Sequence, residues 1–248
     1  MSTDYGNQAL DDEDRDAYQF SQQSYKKAGE RENVGDFEYD PTLSDVNTAV
    51  WHDHKNKKTH VSNRGSTSAY DWLVSDAQIA TGMEDHGARF KKAVERTNKA
   101  HDKYGYQVKT SGHSLGGKTS AYVTEQLGDN DWYEGGTGFN QGNSSLGRDG
   151  YFSKQRRACR RKKNRPAYCD KQTNIKEKGD YVSQRNIGCA ILTFGMGGKL
   201  CTKGDAFGKT KTYDNKKNRR WTNALSRSLF PSIKVFGNAK AHSLDNFN

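Results

Sequence analysis

The chain predicts an α/β layered fold, with a central sheet flanked by helices, and two observations carry this expectation. Strand-like and helix-like runs alternate through the middle of the sequence, the pattern of a parallel sheet with helical crossovers. One stretch, Val108 to Thr119, reads as a short strand, a glycine-tight turn and a helix start. That helix continues through Ala121 to Leu127 and stops at Gly128. At 248 residues, one domain with a real core is the default.

The elements follow in order. Residues 1–34 are acidic and weakly patterned, so a partly flexible tail is expected, above all over the first fifteen. Asp16 to Lys27 is open to a helix carrying Tyr18, Phe20 and Tyr25. Residues 35–248 form the main domain. Asn47 to Asn63 reads as a β-hairpin, two β-prone runs around the polar Lys55–Lys58 turn. His52 and His54 on its first strand lack a third ligand and read as surface histidines. Ser68 to Ile79 and Glu84 to Lys103 carry helical apolar spacing, the latter through Phe90, Ala93, Val94 and Ala100. Tyr106 to Ser111 and Trp132 to Asn140 are expected strands. A basic insertion at about 150–172, with Lys154 to Arg165 at its centre and Pro166 behind, reads as loop. Thr173 to Val182 is a further strand reaching Gly179-Asp180, too polar for a buried central position. Ile187 to Phe194 is the most apolar run that remains.

Composition narrows the class. Leu, Ile, Val and Phe total 36, a low share, offset by thirteen Tyr and four Trp. Net charge is +10 but unevenly spread. Residues 1–46 hold twelve Asp/Glu and four Lys/Arg, whereas 151–178 hold eleven Lys/Arg and two Asp/Glu. The basic part suggests an anionic partner, headgroup or nucleic acid, against the plainer reading of a solvated surface. No apolar run marks a signal peptide or a bilayer span, so an intracellular or virion-associated protein is expected. The four cysteines, Cys159, Cys169, Cys189 and Cys201, form no C-x-x-C pair, which argues against a zinc ribbon or a redox motif. Free thiols are expected in that setting, with a bridge such as Cys159–Cys169 as the alternative.

Residues Gly112 to Thr119 fit two motifs at once. Gly112-His113-Ser114-Leu115-Gly116 is a G-x-S-x-G nucleophile elbow, in which a strained turn lifts a serine hydroxyl above the sheet. The same stretch also spells the G-x-x-x-x-G-K-T phosphate loop. A phosphate-loop enzyme needs a second, apolar strand ending in Asp for its Mg²⁺. Ala190 to Phe194 ends in Gly instead, and the strand reaching Asp180 is polar. A hydrolase needs an acid and then a histidine after its serine. Ser114, Asp180 and His242 occur in that order, and His242 is the one histidine after the elbow. The conjunction favours the elbow.

Four blocks carry a family resemblance: Arg64-Gly65-Ser66 with Asp71-Trp72-Leu73, Ser111 to Gly117, Gly179 to Val182, and Ala241 to Leu244. Over about residues 47–248 the chain resembles the lipase class 3 family, the fungal-type triacylglycerol lipases of the α/β-hydrolase fold. The resemblance implies Ser114 as nucleophile, Asp180 as orienting acid and His242 as general base. It also implies an oxyanion hole from the Ser66 and Leu115 backbone amides, with the Ser66 hydroxyl assisting. Where many family members carry an apolar lid, this chain has Tyr70, Trp72 and Leu73. Its basic insertion departs from the family's pattern, and its compact form without a signal looks more like the lipase-like proteins of some large DNA viruses. The expected function is hydrolysis of a lipid carboxylic ester, by a lipase or phospholipase, without metal or organic cofactor. The alternative is a silent hydrolase scaffold that grips nucleic acid or anionic membrane through residues 154–165 and 203–220.

Overall fold

The computed structural model describes residues 2–4, 10–66, 87–141, 152–177 and 206–213. Among them, eight strands form one sheet: β1 (Ser2–Asp4), β2 (Glu38–Tyr39), β3 (Thr48–Asp53), β4 (Lys58–Asn63), β5 (Gln107–His113), β6 (Tyr133–Phe139), β7 (Gln172–Glu177) and β8 (Lys209–Tyr213). Their order is β1-β8-β7-β6-β5-β4-β3-β2, parallel from β1 through β4 and antiparallel across β4-β3-β2. The helices are α1 (Asp12–Tyr25), α2 (Ala88–Tyr104), α3 (Leu115–Leu127) and the short α4 (Ser153–Cys159). This is the architecture expected: a central, mostly parallel sheet flanked by helices. The 47–63 hairpin, α2, β5, α3 and β6 lie where their residues predict. The expected helix at Ser68–Ile79 and the run Ile187–Phe194 fall outside the described residues.

Period-two alternation on β4 and β5 sends side chains to opposite faces, and each face meets a different helix. Val50, Val61 and Val108 pack with Ala93 and Ala100 of α2 and Val123 and Leu127 of α3. On the other face α1 lays Ala17 and Tyr18 against Phe139, Ile175 and Tyr213. Phe20 joins Val34, Ala49 and Trp51 there. Each large side chain so buried contributes roughly 1.5–3 kcal/mol. The helix therefore begins earlier than the tail expected over the first fifteen residues, because its apolar stripe has a sheet face to cover. Asp11 caps it by accepting from the Asp14 amide at 2.9 Å. Lys211 of β8 bridges the Asp11 and Asp14 carboxylates at its foot. Burial alone would lower the Lys211 pKa, but these two hydrogen bonds outweigh it and raise it.

Polar residues occupy much of the interior, and many of them find partners there. The Tyr133 hydroxyl sits between Thr110 Oγ1 (2.7 Å) and Thr124 Oγ1 (2.8 Å). Strand β7 runs between β6 and β8 with Gln172, Asn174 and Glu177 buried, so the expectation that it was too polar for a central strand is corrected. Its side chains bond to backbone instead of water: Asn174 Nδ2 donates to the Phe207 carbonyl at 2.6 Å and Gln172 Nε2 to that of Thr173 at 3.0 Å. His52 is buried, not a surface histidine. Its Nε2 faces Asp40 at 3.0 Å and its Nδ1 faces Thr59 Oγ1 at 2.9 Å. His54 is exposed as expected.

Part of the basic insertion is helical, as α4, and its fully exposed stretch is 160–165. Cys159 and Cys169 are joined in a disulfide across it, which corrects the expectation of free thiols at these two positions. Spacing alone could not pair them; the 3₁₀ turn Ala167–Cys169 brings the second sulfur back beside α4.

His60 offers a test of this polar interior. Its Nε2 lies 2.9 Å from Ser111 Oγ and its ring stacks on Phe20. Burial first, and the Lys109 charge second, push its pKa down to about 3. The unfolded chain takes up a proton near pH 6.5 that the folded protein refuses, so stability falls as pH drops through that value. From this group alone, about 2 kcal/mol should be lost between pH 7 and pH 5. Burial lowers His52 in the same direction, against its hydrogen bond to Asp40. Thermal melts across this range should show a shallower slope for His60→Gln than for the unmodified protein.

Candidate active site

Strand β5 ends at His113 and helix α3 begins at Leu115, so the whole turn is one residue, Ser114. Its backbone stands at φ 57°, ψ −121°, a region that side chains other than glycine rarely occupy. Such a conformation costs on the order of 1–3 kcal/mol and persists only where the surroundings enforce it. Here they do. The Ser114 amide donates to the Phe139 carbonyl at 2.9 Å, extending the β5–β6 pairing one residue past β5. Its carbonyl accepts the first helical bond, from the Lys118 amide at 3.1 Å. Gripped on both sides, the serine is turned out at the C-terminal edge of the sheet, where ligands of α/β proteins bind.

Gly116 is what lets the helix start so close. A Cβ placed there would lie 1.9 Å from the Asn63 carbonyl oxygen, at the end of β4. The amides of Leu115, Gly116 and Gly117 open the helix and have no carbonyl a turn back to bond, so they form a donor cluster beside the serine. Arg64, Gly65 and Ser66 run past the same turn, since Asn63 pairs with Gly112 in register. That loop is braced from several sides. Its Arg64 amide donates to Asn47 at 2.8 Å, and the Arg64 carbonyl accepts from the Arg89 guanidinium of α2. The Tyr25 hydroxyl at the end of α1 stands against Gly65, and burial pushes that phenol up to about 12.

The structure thus brings together three of the five expected residues, Ser114, Leu115 and the Ser66 segment. Asp180 and His242 lie outside the described residues; β7, which leads toward Asp180, is described to Glu177. His113 turns to the α1 face, away from the serine, and meets Tyr25 Oη at 2.8 Å through Nδ1. Tyr25 was placed on a helix by its sequence but given no role. The i, i+3, i+7 spacing of Tyr18, Ser21 and Tyr25 was the available signal, because it sets all three on one face.

The phosphate-loop reading fails on geometry. Lys118 is wholly buried, with its ammonium 5.3 Å from the Phe152 ring centre. A phosphate-binding lysine has to reach the ligand above the loop. Among the described residues no cluster of His, Cys, Asp and Glu is arranged to hold a metal. No helix there is long and apolar enough to cross a membrane.

Helices on both faces of a mostly parallel sheet, with an elbow after β5, form the α/β-hydrolase arrangement expected. No family model and no curated sequence matches the chain. Several solved structures are similar in shape. The Lip2 lipase from Yarrowia lipolytica is 15% identical, with 73% of this chain and 76% of that one covered and a TM-score of 0.46. A propeptide complex of the Rhizomucor miehei lipase is 16% identical, covering 75% and 67%, with a TM-score of 0.46. A triacylglycerol lipase from Penicillium expansum is 20% identical, covering 55% and 63%, with a TM-score of 0.42. Superposition this loose assigns no residue and no chemistry.

Replacing Gly116 tests whether the elbow depends on close approach. In Gly116→Ala the new methyl meets backbone rather than a movable side chain, so α3 must shift off β4. A loss of roughly 3 kcal/mol or more is expected, of the size seen for severe overpacking. Denaturant titration of the variant measures it, and unchanged stability would contradict the packing described.

Proposed function

We propose that the protein is a serine hydrolase of lipid carboxylic esters, acting through Ser114, His242 and Asp180. The observation that carries this reading is the backbone of Ser114, held at positive φ between a parallel strand and the start of a helix. A serine hydroxyl is a poor nucleophile at its own pKa and needs a base beside it. His242 takes its proton as the oxygen attacks the ester carbonyl. Asp180 holds the imidazole in the right tautomer and stabilises the imidazolium that forms. The carbonyl oxygen gains charge as the tetrahedral centre forms and is met by the Leu115 and Ser66 amides. The histidine then protonates the leaving alcohol, and water hydrolyses the acyl-enzyme by the same steps in reverse. One such donor is worth about 3 kcal/mol of barrier because it needs no rearrangement when charge develops.

The exposed loop of the basic insertion gives this reading no support for an anionic surface. That loop leads into the first residues of β7, and Tyr168 packs against Gly128 at the far end of α3. The loop therefore lies toward the end of α3 opposite Ser114, while the insertion begins at Phe152, beside Lys118 of the first turn. A bilayer held on that loop would lie away from the elbow, so its charge gives no reason to prefer phospholipid over a neutral ester. The nucleic-acid alternative loses ground too. Lys211 and Tyr213, in its second basic segment, are buried in the sheet rather than presented to a ligand.

A fluorophosphonate probe should label the protein once, at Ser114. Ser114→Ala should remain folded, lose all labelling and lose roughly 10⁴-fold or more of its p-nitrophenyl ester turnover. Undiminished turnover in that variant, or labelling elsewhere, sinks the assignment.

A further inference from the structure

The oxyanion hole of the proposed site draws its two donors from separate segments. Leu115 follows the nucleophile at the end of β5, and Ser66 lies on the chain that leaves β4. One oxygen atom sits in the seam between these segments. The Tyr25 hydroxyl stands against Gly65, next to Ser66, and meets Nδ1 of His113, next to Ser114, at 2.8 Å.

The fit at this point is close. A Cβ on residue 65 would lie 2.1 Å from the Tyr25 oxygen and 2.8 Å from the His113 carbonyl oxygen, so the hydroxyl occupies room that exists because Gly65 has no side chain. Helix α1 is itself firmly seated. The Phe20 ring stacks on His60 with centroids 3.8 Å apart, and Ser21 Oγ donates to Ser111 Oγ at 3.2 Å. Arg31 donates to the Ser24 carbonyl, which fastens the helix end just before Tyr25. Tyr25 thus projects from a fixed support into the seam between the two donor-bearing segments.

We propose that Tyr25 is a positioning residue of the oxyanion hole, latching the Gly65–Ser66 loop to the His113–Ser114 turn. This rests on the hydrolase reading above. The Tyr25 oxygen does not touch the substrate; it sets the separation of the Ser66 and Leu115 amides. That separation matters when charge develops on the carbonyl oxygen, and much less in the ground state. Loss of the latch therefore lowers kcat and leaves KM nearly unchanged.

The test uses the full chain, with rates expressed per Ser114 labelled to completion by the fluorophosphonate, which removes any unfolded fraction. Tyr25→Phe, lacking one oxygen, should lower kcat for a p-nitrophenyl ester by about 10- to 100-fold, the range for a misplaced donor rather than an absent one. KM should stay within about twofold, as expected for an interaction made in the transition state. His113→Leu, which removes the ring partner, should show the same loss, and the double variant should lose no more than either alone. His113→Asn keeps a polar partner near Nδ1 and should restore most of kcat. Wild-type kcat in Tyr25→Phe, or a change confined to KM, overturns the latch while leaving the hydrolase reading intact. So do additive losses in the double variant. Absence of labelling at Ser114 in the unmodified protein overturns the hydrolase reading itself.

Discussion

Helix α3 starts where it does because nothing stands between its first turn and the Asn63 carbonyl. The 1.9 Å that a Cβ on Gly116 would leave is well inside contact distance, so the helix and the end of β4 meet backbone to backbone. Much else follows from that approach. It forces the chain to reverse within one residue, which puts Ser114 at positive φ. It points the first amides of α3 at the ground above that residue. It also brings the loop after Asn63 alongside the turn, so that the Ser66 segment and Leu115 become neighbours. A helix set farther out would have needed a longer turn, and the serine would have lost its strained, exposed position.

The opposite face of the sheet supports the same turn through α1. That helix runs along β4 and β5 with a seam that is polar as much as apolar: Ser21, Ser62 and Ser111 with His60, then Tyr25 with His113. Polar groups buried in low dielectric are costly when unpaired and specific when paired, because each accepts few partners in few directions. The seam therefore sets the register of α1 on the sheet more sharply than the contacts of Tyr18 or Phe20 alone. This is how a chain poor in Leu, Ile, Val and Phe still builds a defined interior. Tyrosine, threonine and serine supply volume, and their hydroxyls find one another or a carbonyl.

Among the described residues, two groups of charge stand apart from the candidate serine. Lys211 is consumed in holding Asp11 and Asp14, so the N-terminal acidic stretch and one strand of the basic half answer each other inside the fold. The exposed excess at 160–165 is closed off by the Cys159–Cys169 bridge and stands at the far end of the sheet from Ser114.

Short-range signals in the sequence were enough for the alternation of strand and helix, the hairpin around Lys55–Lys58, and the elbow with its serine. Each depends on residues within about a dozen positions of one another: period-two runs, helical spacing, glycines at a turn. Whatever depended on partners distant in the chain escaped it. Strand β7 looked too polar to be central because its carbonyl partners come from other strands and loops. His52 looked like a surface residue because Asp40, twelve residues away, had no visible claim on it. Lys118 gave no sign in the sequence of the Phe152 ring that covers it. Tyr25 carried no sign of its role, since Gly65 and His113 approach it only when α1 lies across the ends of β4 and β5. By itself, then, the sequence determined the elbow and the elements around it, through local backbone preference. Tertiary structure decided which polar side chains are interior and what holds the turn in place, because those outcomes depend on distances that no local pattern encodes.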